Sequence, residues 1–214
     1  MATAWTSFYP DVLPHVIGAP LVIVRHEIKR AAQAFFAGSR AWQINATTIA
    51  VAANQAEVTL ATGDTKLDLV RVEKAWLDGK PLDVVTADEM DARHQSDDWQ
   101  THTGSPSTVV QITPGVVRLY PIPTVAATTG LKCRVSVQPS NAATEFPDDL
   151  ATKFLDSIVV GAKSKLLLYP NKPWTNNDLG VALRLEFESD ISKARLIAAQ
   201  SYGRGRIASN PQWC

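Results

Sequence analysis

Cysteine is scarce in this chain: Cys133 and Cys214 are the only two among 214 residues. A secreted disulfide scaffold needs several pairs and a zinc site needs closely spaced ligands, so both thiols are expected to be free. Long apolar runs are missing as well. No stretch approaches the roughly 20 residues that cross a bilayer, and the start, Met-Ala-Thr-Ala-Trp, lacks the basic and apolar regions of a secretory signal. The protein is therefore expected to act where it is made, in a cytoplasm, with no membrane partner. Neither sign of charge is in excess, because 21 Lys plus Arg balance 21 Asp plus Glu. No bulk attraction to nucleic acid or membrane follows, and any such contact must be a local patch.

Catalytic signatures are also missing. No GxSxG, GxxxxGK[ST] or GxGxxG occurs, and Gly203-Arg-Gly-Arg-Ile-Ala lacks the third glycine and follows a helical pattern instead of a strand. The four histidines, His15, His26, His94 and His102, lie in different segments without ligand spacing, so no metal or cofactor is expected. Asp97-Asp98 and Asp148-Asp149 are adjacent carboxylates, which more often serve solvation and helix capping than acid and base catalysis. Cys133 falls in a strand pattern with no His or Asn that sequence can place beside it, which argues against a nucleophile. Asn45-Ala46-Thr47 matches a glycosylation acceptor, but the missing signal makes the match coincidental.

What is present is enough apolar material, 45% of residues, to bury a core for one large domain or two small ones. The first segment opens with Tyr9-Pro10 and Leu13-Pro14, which allow one short helical turn, and Gly18-Ala19-Pro20 breaks it. Val24, Ile28, Ala31 and Phe35, with Ala32 and Phe36, then recur at three- and four-residue spacing while Arg25, Lys29 and Arg30 fall on the other side. This predicts an amphipathic helix ending near Gly38-Ser39.

From Ala41 the pattern turns to β-prone runs: 42–51, 56–61, 67–77, 82–85, 109–112, 116–120 and 131–137. Asp78-Gly79 and Pro114-Gly115 read as tight hairpin turns. Thr86 with Glu89 predicts a capped short helix over 87–93, and the polar stretch 95–106 predicts a surface loop. The middle therefore reads as a small antiparallel sheet or sandwich of five to seven strands.

Helix returns at Pro147-Asp148-Asp149, with the stripe Leu150, Phe154, Ile158, Ala162 and Leu166, and Gly161 is expected to permit close helix packing. After Trp174, Thr175 is expected as N-cap, with Asp178 and Leu179 supplying an acidic first turn and a hydrophobic-staple partner for Trp174. The stripe Leu179, Leu183, Phe187, Ile191, Ala194 and Ala198 predicts a long helix that stops at Gly203. The last twelve residues have too few apolar groups to fold alone. Arg204, Arg206 and Trp213 there suit docking on a partner, because Trp is costly to leave in water.

Taken together these features give an α+β chain in which a helical bundle from both chain ends (1–43 and 144–202) carries a central antiparallel β-domain (44–143), followed by an extended tail (203–214). The arrangement resembles the head-to-tail adaptor, or connector, proteins of tailed bacteriophages, the group that includes the podovirus tail tubular protein A. The residues carrying the resemblance are Phe8-Tyr-Pro-Asp-Val-Leu-Pro14, the helix after Ala19-Pro20, the run from Val70 to Arg93 and Gly115-Val-Val-Arg-Leu-Tyr-Pro121. Gln138-Pro-Ser, Phe146-Pro-Asp-Asp and Lys172-Pro-Trp-Thr-Asn-Asn-Asp178 continue it.

The resemblance implies a structural virion protein of the neck and not an enzyme. It implies a ring, usually of twelve subunits, beneath the portal protein, extending the DNA channel and offering a docking surface to tail, nozzle or tail-tube proteins. Double-stranded DNA would pass the lumen without specific binding, which suits a chain of zero net charge. The protein would be made in the host cytoplasm and end in the virion, and Arg204, Arg206 and Trp213 would reach the portal. The loops 95–106 and 126–130 are candidate contacts, and Cys133 with Cys214 is a candidate intersubunit disulfide. Alternatives are a tail terminator or completion protein, a monomeric peptide- or carbohydrate-binding module, and, more weakly, a hydrolase built from His94 and Cys133 brought together only in space.

Overall fold

The computed structural model describes residues 2–94 and 98–200. The chain enters on β1 (Ala2–Ala4), makes a 3-10 turn over Trp5–Phe8, and continues through α1 (Tyr9–Val12) and a second 3-10 turn at Leu13–His15. Pro10 and Pro14 sit in the first turns of these short pieces, where a missing N–H costs nothing. Gly18, at φ 86°, then turns the chain, and Pro20 becomes the N-cap of α2 (Leu21–Ser39). The predicted stripe is what α2 buries: Val24, Ile28, Ala31, Ala32, Phe35 and Phe36 are all 0% exposed. Burying Val24, Ile28, Phe35 or Phe36 contributes about 1.5–3 kcal/mol each. The helix ends at Ser39, as expected, and its C-cap Arg40 takes the left-handed conformation (φ 55°) and donates its N–H to the Phe36 carbonyl at 3.0 Å. Gly38 stays helical, and Ile191 packs against it.

The middle of the chain supplies β2 (Gln43–Asn45), β3 (Glu57–Thr59), β4 (Leu67–Leu77), β5 (Lys80–Val85), α3 (Ala87–Arg93), β6 (Thr103–Gly104), β7 (Thr108–Thr113), β8 (Val116–Tyr120), β9 (Ile122–Pro123), β10 (Leu131–Pro139) and β11 (Glu145–Pro147). Seven of these form one sheet in the order β2-β10-β4-β5-β7-β8-β3, and β1-β11 and β6-β9 form two small pairs. Both predicted hairpins form. Asp78 (φ 49°) and Gly79 (φ 80°) join β4 to β5 with both turn residues left-handed, as a two-residue hairpin turn requires. Gly115 (φ 88°) does the same work between β7 and β8.

The sheet is not wholly antiparallel. β5 and β7 run parallel, and so do β6 and β9. The cause is the connection: α3 and the segment after it carry the chain back before β7 starts, and such a crossover returns a strand in the same direction where a tight turn cannot. The sheet also curls. Register shifts in the β10–β4 ladder add twist, and the two outer margins approach each other, with the Thr47 N–H donating to the Ala61 carbonyl at 3.0 Å.

Residues 148–199 return to helix. α4 (Asp148–Leu167) starts after Pro147 with Asp148 and Asp149 in its first turn, where the exposed N–H groups favour negative charge. The Thr3 hydroxyl also bonds Asp148. α4 bends at Phe154 (φ −120°, ψ 15°). α5 (Asn177–Ala199) is capped by Asn176, whose side chain accepts from the Leu179 N–H at 3.2 Å. The expected cap, Thr175, instead accepts from the Lys172 N–H and donates to the Tyr169 carbonyl. A short loop had two oxygen-bearing side chains to choose from, and the one bound into the loop left the other to cap.

The cap shift also moves Leu179, the expected staple partner of Trp174, to 41% exposure. α2 packs on α4 and α5, which pack on each other. The Phe35 ring lies 5.0 Å from Phe154 and 6.2 Å from Phe187. One cluster of buried residues runs from these helices into β4, β8 and β10, and a smaller one, Val85, Met90, Trp99 and Val110, lies under α3.

Candidate interaction surfaces

Groups that could carry chemistry were expected to be scattered, and the structure brings some together. Cys133 lies on β10 opposite Ala75, 2% exposed in the main core, and burial pushes its thiol up to about 12. A thiolate nucleophile or an exposed crosslinking thiol is not what that position offers. His94 belongs elsewhere, at the C-terminal end of α3. It meets His102 there: both rings surround Tyr120, at centroid distances of 5.1 and 6.0 Å, and the His102 Nδ1 lies 3.3 Å from the Tyr120 hydroxyl. His15 and His26 are exposed. Among the described residues no group of three or more His, Cys, Asp or Glu is placed to hold a metal.

The aromatic cluster under α3 corrects the reading of 95–106 as a polar surface loop. Within its described part, Trp99 is 4% exposed and donates its Nε1–H to Asp91 at 2.7 Å. The Arg118 guanidinium lies 5.9 Å from the Trp99 ring and pairs with Glu57 at 3.0 Å. An indole in a polar stretch was the available signal, since Trp seldom stays in water. The loop 126–130 is likewise tied down: Asp78 accepts from the Thr128 and Thr129 N–H groups. Those bonds, Thr129 first, hold its carboxyl below the ordinary value.

A second buried polar group joins α2 to the end of α4. Glu27 is 1% exposed and accepts from the Tyr169 hydroxyl at 2.8 Å and from Arg30 at 3.2 Å. Burial holds Lys165, nearby, below its ordinary value, against the opposing pull of Glu27. The hydrogen bond to Glu27 raises the Tyr169 hydroxyl. This group clasps α2 to the end of α4.

Among the described residues, apolar patches and several clefts stand free to meet another molecule. α5 is amphipathic as predicted, burying Phe187, Ala194 and Ala198, yet Val181, Leu185 and Leu196 stand 50, 64 and 67% exposed away from that stripe. Val181 and Leu185 lie one turn apart on a face turned from the core, and Leu196 lies three turns further on beyond Glu188 and Ser192; the prediction of one stripe passed over them. Ile17, ahead of α2, and Leu21 and Val22 in its first turn are 79, 54 and 70% exposed. A cleft of about 390 Å³ opens beside β4, lined among others by Arg40, Val70, Arg71, Gln111 and Ile112. Arg204, Arg206, Trp213 and Cys214 lie outside the described residues.

The comparison with protein families points to an assembly role. The model of the family described as SU10 adaptor protein matches residues 20–209, most of the chain. No curated protein matches.

Proposed function

The chain belongs to the SU10 adaptor protein family of phage head-to-tail adaptors, and we propose that it assembles as a ring, of twelve subunits, beneath the portal. It is a structural virion-associated protein of the neck, in a family that is not a class of enzymes. In this reading the helices drawn from both chain ends form the bundle that carries the β-domain. The ring extends the DNA channel and presents loops such as 126–130 to the tail. The tail residues Arg204, Arg206 and Trp213 dock on the portal through charge-assisted bonds and one aromatic anchor. Zero net charge over the chain favours a lumen through which DNA slides without being held.

The family match carries the reading. Within the molecule, the exposed apolar side chains of α5 support it. Contacts in a ring are heterologous, so each subunit needs two different sticky faces, and a helix needs only one stripe to pack on its own core. Val181, Leu185 and Leu196 are surplus to that need.

The double substitution Leu185→Asp and Leu196→Asp tests this. Both positions are exposed, so the monomer is expected to keep its fold and thermal midpoint, while portal-dependent rings seen by mass photometry should disappear. Rings that form as well as in the unaltered protein would remove α5 from the subunit contact. Capping of isolated tail tubes with no need of portal would move the reading to a tail completion protein.

A further inference from the structure

Two surface stripes of opposite charge lie on α2 and α5. On α2, the exposed Leu21 and Val22 of the first turn are followed by Arg25, exposed, and Lys29, half-buried, at three- and four-residue spacing along one side. On α5, Asp178, Val181, Leu185 and Glu188 follow one another at spacings of three, four and three, and all four are exposed. The α2 stripe is positive. Arg25 forms no ion pair among the described residues, and Lys29 donates to a neutral group, the Asn141 carbonyl, at 2.7 Å. Burial, and after it the neighbouring Arg25 guanidinium, hold the Lys29 ammonium below its ordinary value. Beside the two cations opens a cleft of about 400 Å³, lined among others by Trp5, Asn141 and Thr144, with no carboxylate in its wall among the described residues. The α5 stripe is negative. Asp178 and Glu188 flank its two apolar side chains, and Glu188 meets Arg184 at 3.1 Å in an exposed pair, an interaction worth about 0–1 kcal/mol that a better partner displaces.

We propose that the α2 stripe of one subunit receives the α5 stripe of a second copy of this chain, with Leu21 and Val22 on Val181 and Leu185, and Arg25 and Lys29 on Glu188, a pairing that rests on the ring reading above. Charge sets the kind of contact. Two α5 stripes face to face would oppose carboxylates and two α2 stripes would oppose cations, so a symmetric pair is disfavoured against a front-to-back one. Length and order agree. Val22 to Lys29 and Val181 to Glu188 each take seven residue steps, about 10.5 Å, and in both the apolar positions come before the charged one. Within one chain Phe35 lies by Phe187 and Gly38 by Ile191, so α2 and α5 run in the same direction. A ring of twelve turns each subunit by only about 30° from the next, which keeps α2 and the neighbouring α5 near parallel, the orientation in which the two orders match. On the 3.6-residue period both stripes are turned from the sides on which α2 and α5 meet within the chain, so each is left for a neighbour.

The test is charge reversal in the full chain mixed with the portal of the same virus, with rings counted by mass photometry over a range of subunit concentrations. Arg25→Glu and Glu188→Lys should each raise the concentration of half-assembly about tenfold or more, because like charges then meet at every contact. The two together in one chain should recover most of that loss, since each contact joins α2 of one chain to α5 of the next. Arg25 and Glu188 are exposed, so the monomers should keep their thermal midpoints. Val22→Asp, at a position 70% exposed, should give the same loss and keeps the test valid if Arg25→Glu does not fold. Rings of Arg25→Glu that form as well as those of the unaltered chain, or a double variant no better than either single one, would overturn the pairing and leave the ring reading standing. No rings of the unaltered chain would overturn both. Arg25→Glu subunits that fail to bind the portal singly, below the concentration at which subunits meet, would assign the α2 stripe to the portal and overturn the pairing equally.

Discussion

Two buried side chains show how far single residues decide behaviour here. Burial raises the Cys133 thiol from 9.0 to about 12, so the folded protein holds its proton more tightly than the unfolded chain does. Stability from this source is full below pH 9 and is lost as pH rises toward 12, by about 4 kcal/mol at most. Denaturant titrations at a series of pH values should show that extra loss in the unaltered protein and not in Cys133→Ala. The Glu27 carboxylate is the second case: Tyr169→Phe removes one of its two donors in a 1% exposed site, and urea unfolding should report a loss of about 1–3 kcal/mol. At this scale sequence was informative about type and silent about company. Cys133 in mid-strand, without a partner, is where the pattern put it. That His94 and His102 would face Tyr120 had no sequence signal, because three separate segments supply them.

Among elements, the hydrophobic periods read well and the joints less well. The stripes of α2 and α4, the limits of β4 and β8, both hairpin turns and the Thr86 cap of α3 are as the pattern predicts. Each rests on local physics: side-chain period, a left-handed turn residue, or an oxygen three residues before an N–H. What local physics does not hold is direction and choice. The parallel β5–β7 pairing depends on a crossover, the Asn176 cap on which neighbouring side chain the loop uses, and the bend at Phe154 on what packs around it. Gly161 is where a local signal and a long-range contact coincide. A Cβ there would lie 2.5 Å from the Phe187 ring. Alanine otherwise favours a helix by about 1 kcal/mol over glycine, but forcing atoms into a packed contact costs about 1–3 kcal/mol. Gly161→Ala should therefore lower the thermal midpoint, and adding Phe187→Leu should restore part of it by making room.

For the whole molecule, the sequence reading of an α+β chain and of a phage adaptor both stand. The seven strands fall within the expected range, but that they curl until Thr47 meets Ala61 was not legible, because curvature accumulates over many residue pairs. Surface is equally a global property. Only the packed structure shows that Leu185 and Leu196 remain outside once Phe187 is inside. The central claim, that the subunits ring the channel beneath the portal, is tested most directly by electron-microscopy reconstruction of the purified protein mixed with the portal of the same virus, beside a variant truncated after Tyr202. The account predicts a twelvefold ring of the full chain on the portal and its loss on truncation. Monomers that ignore the portal would contradict it.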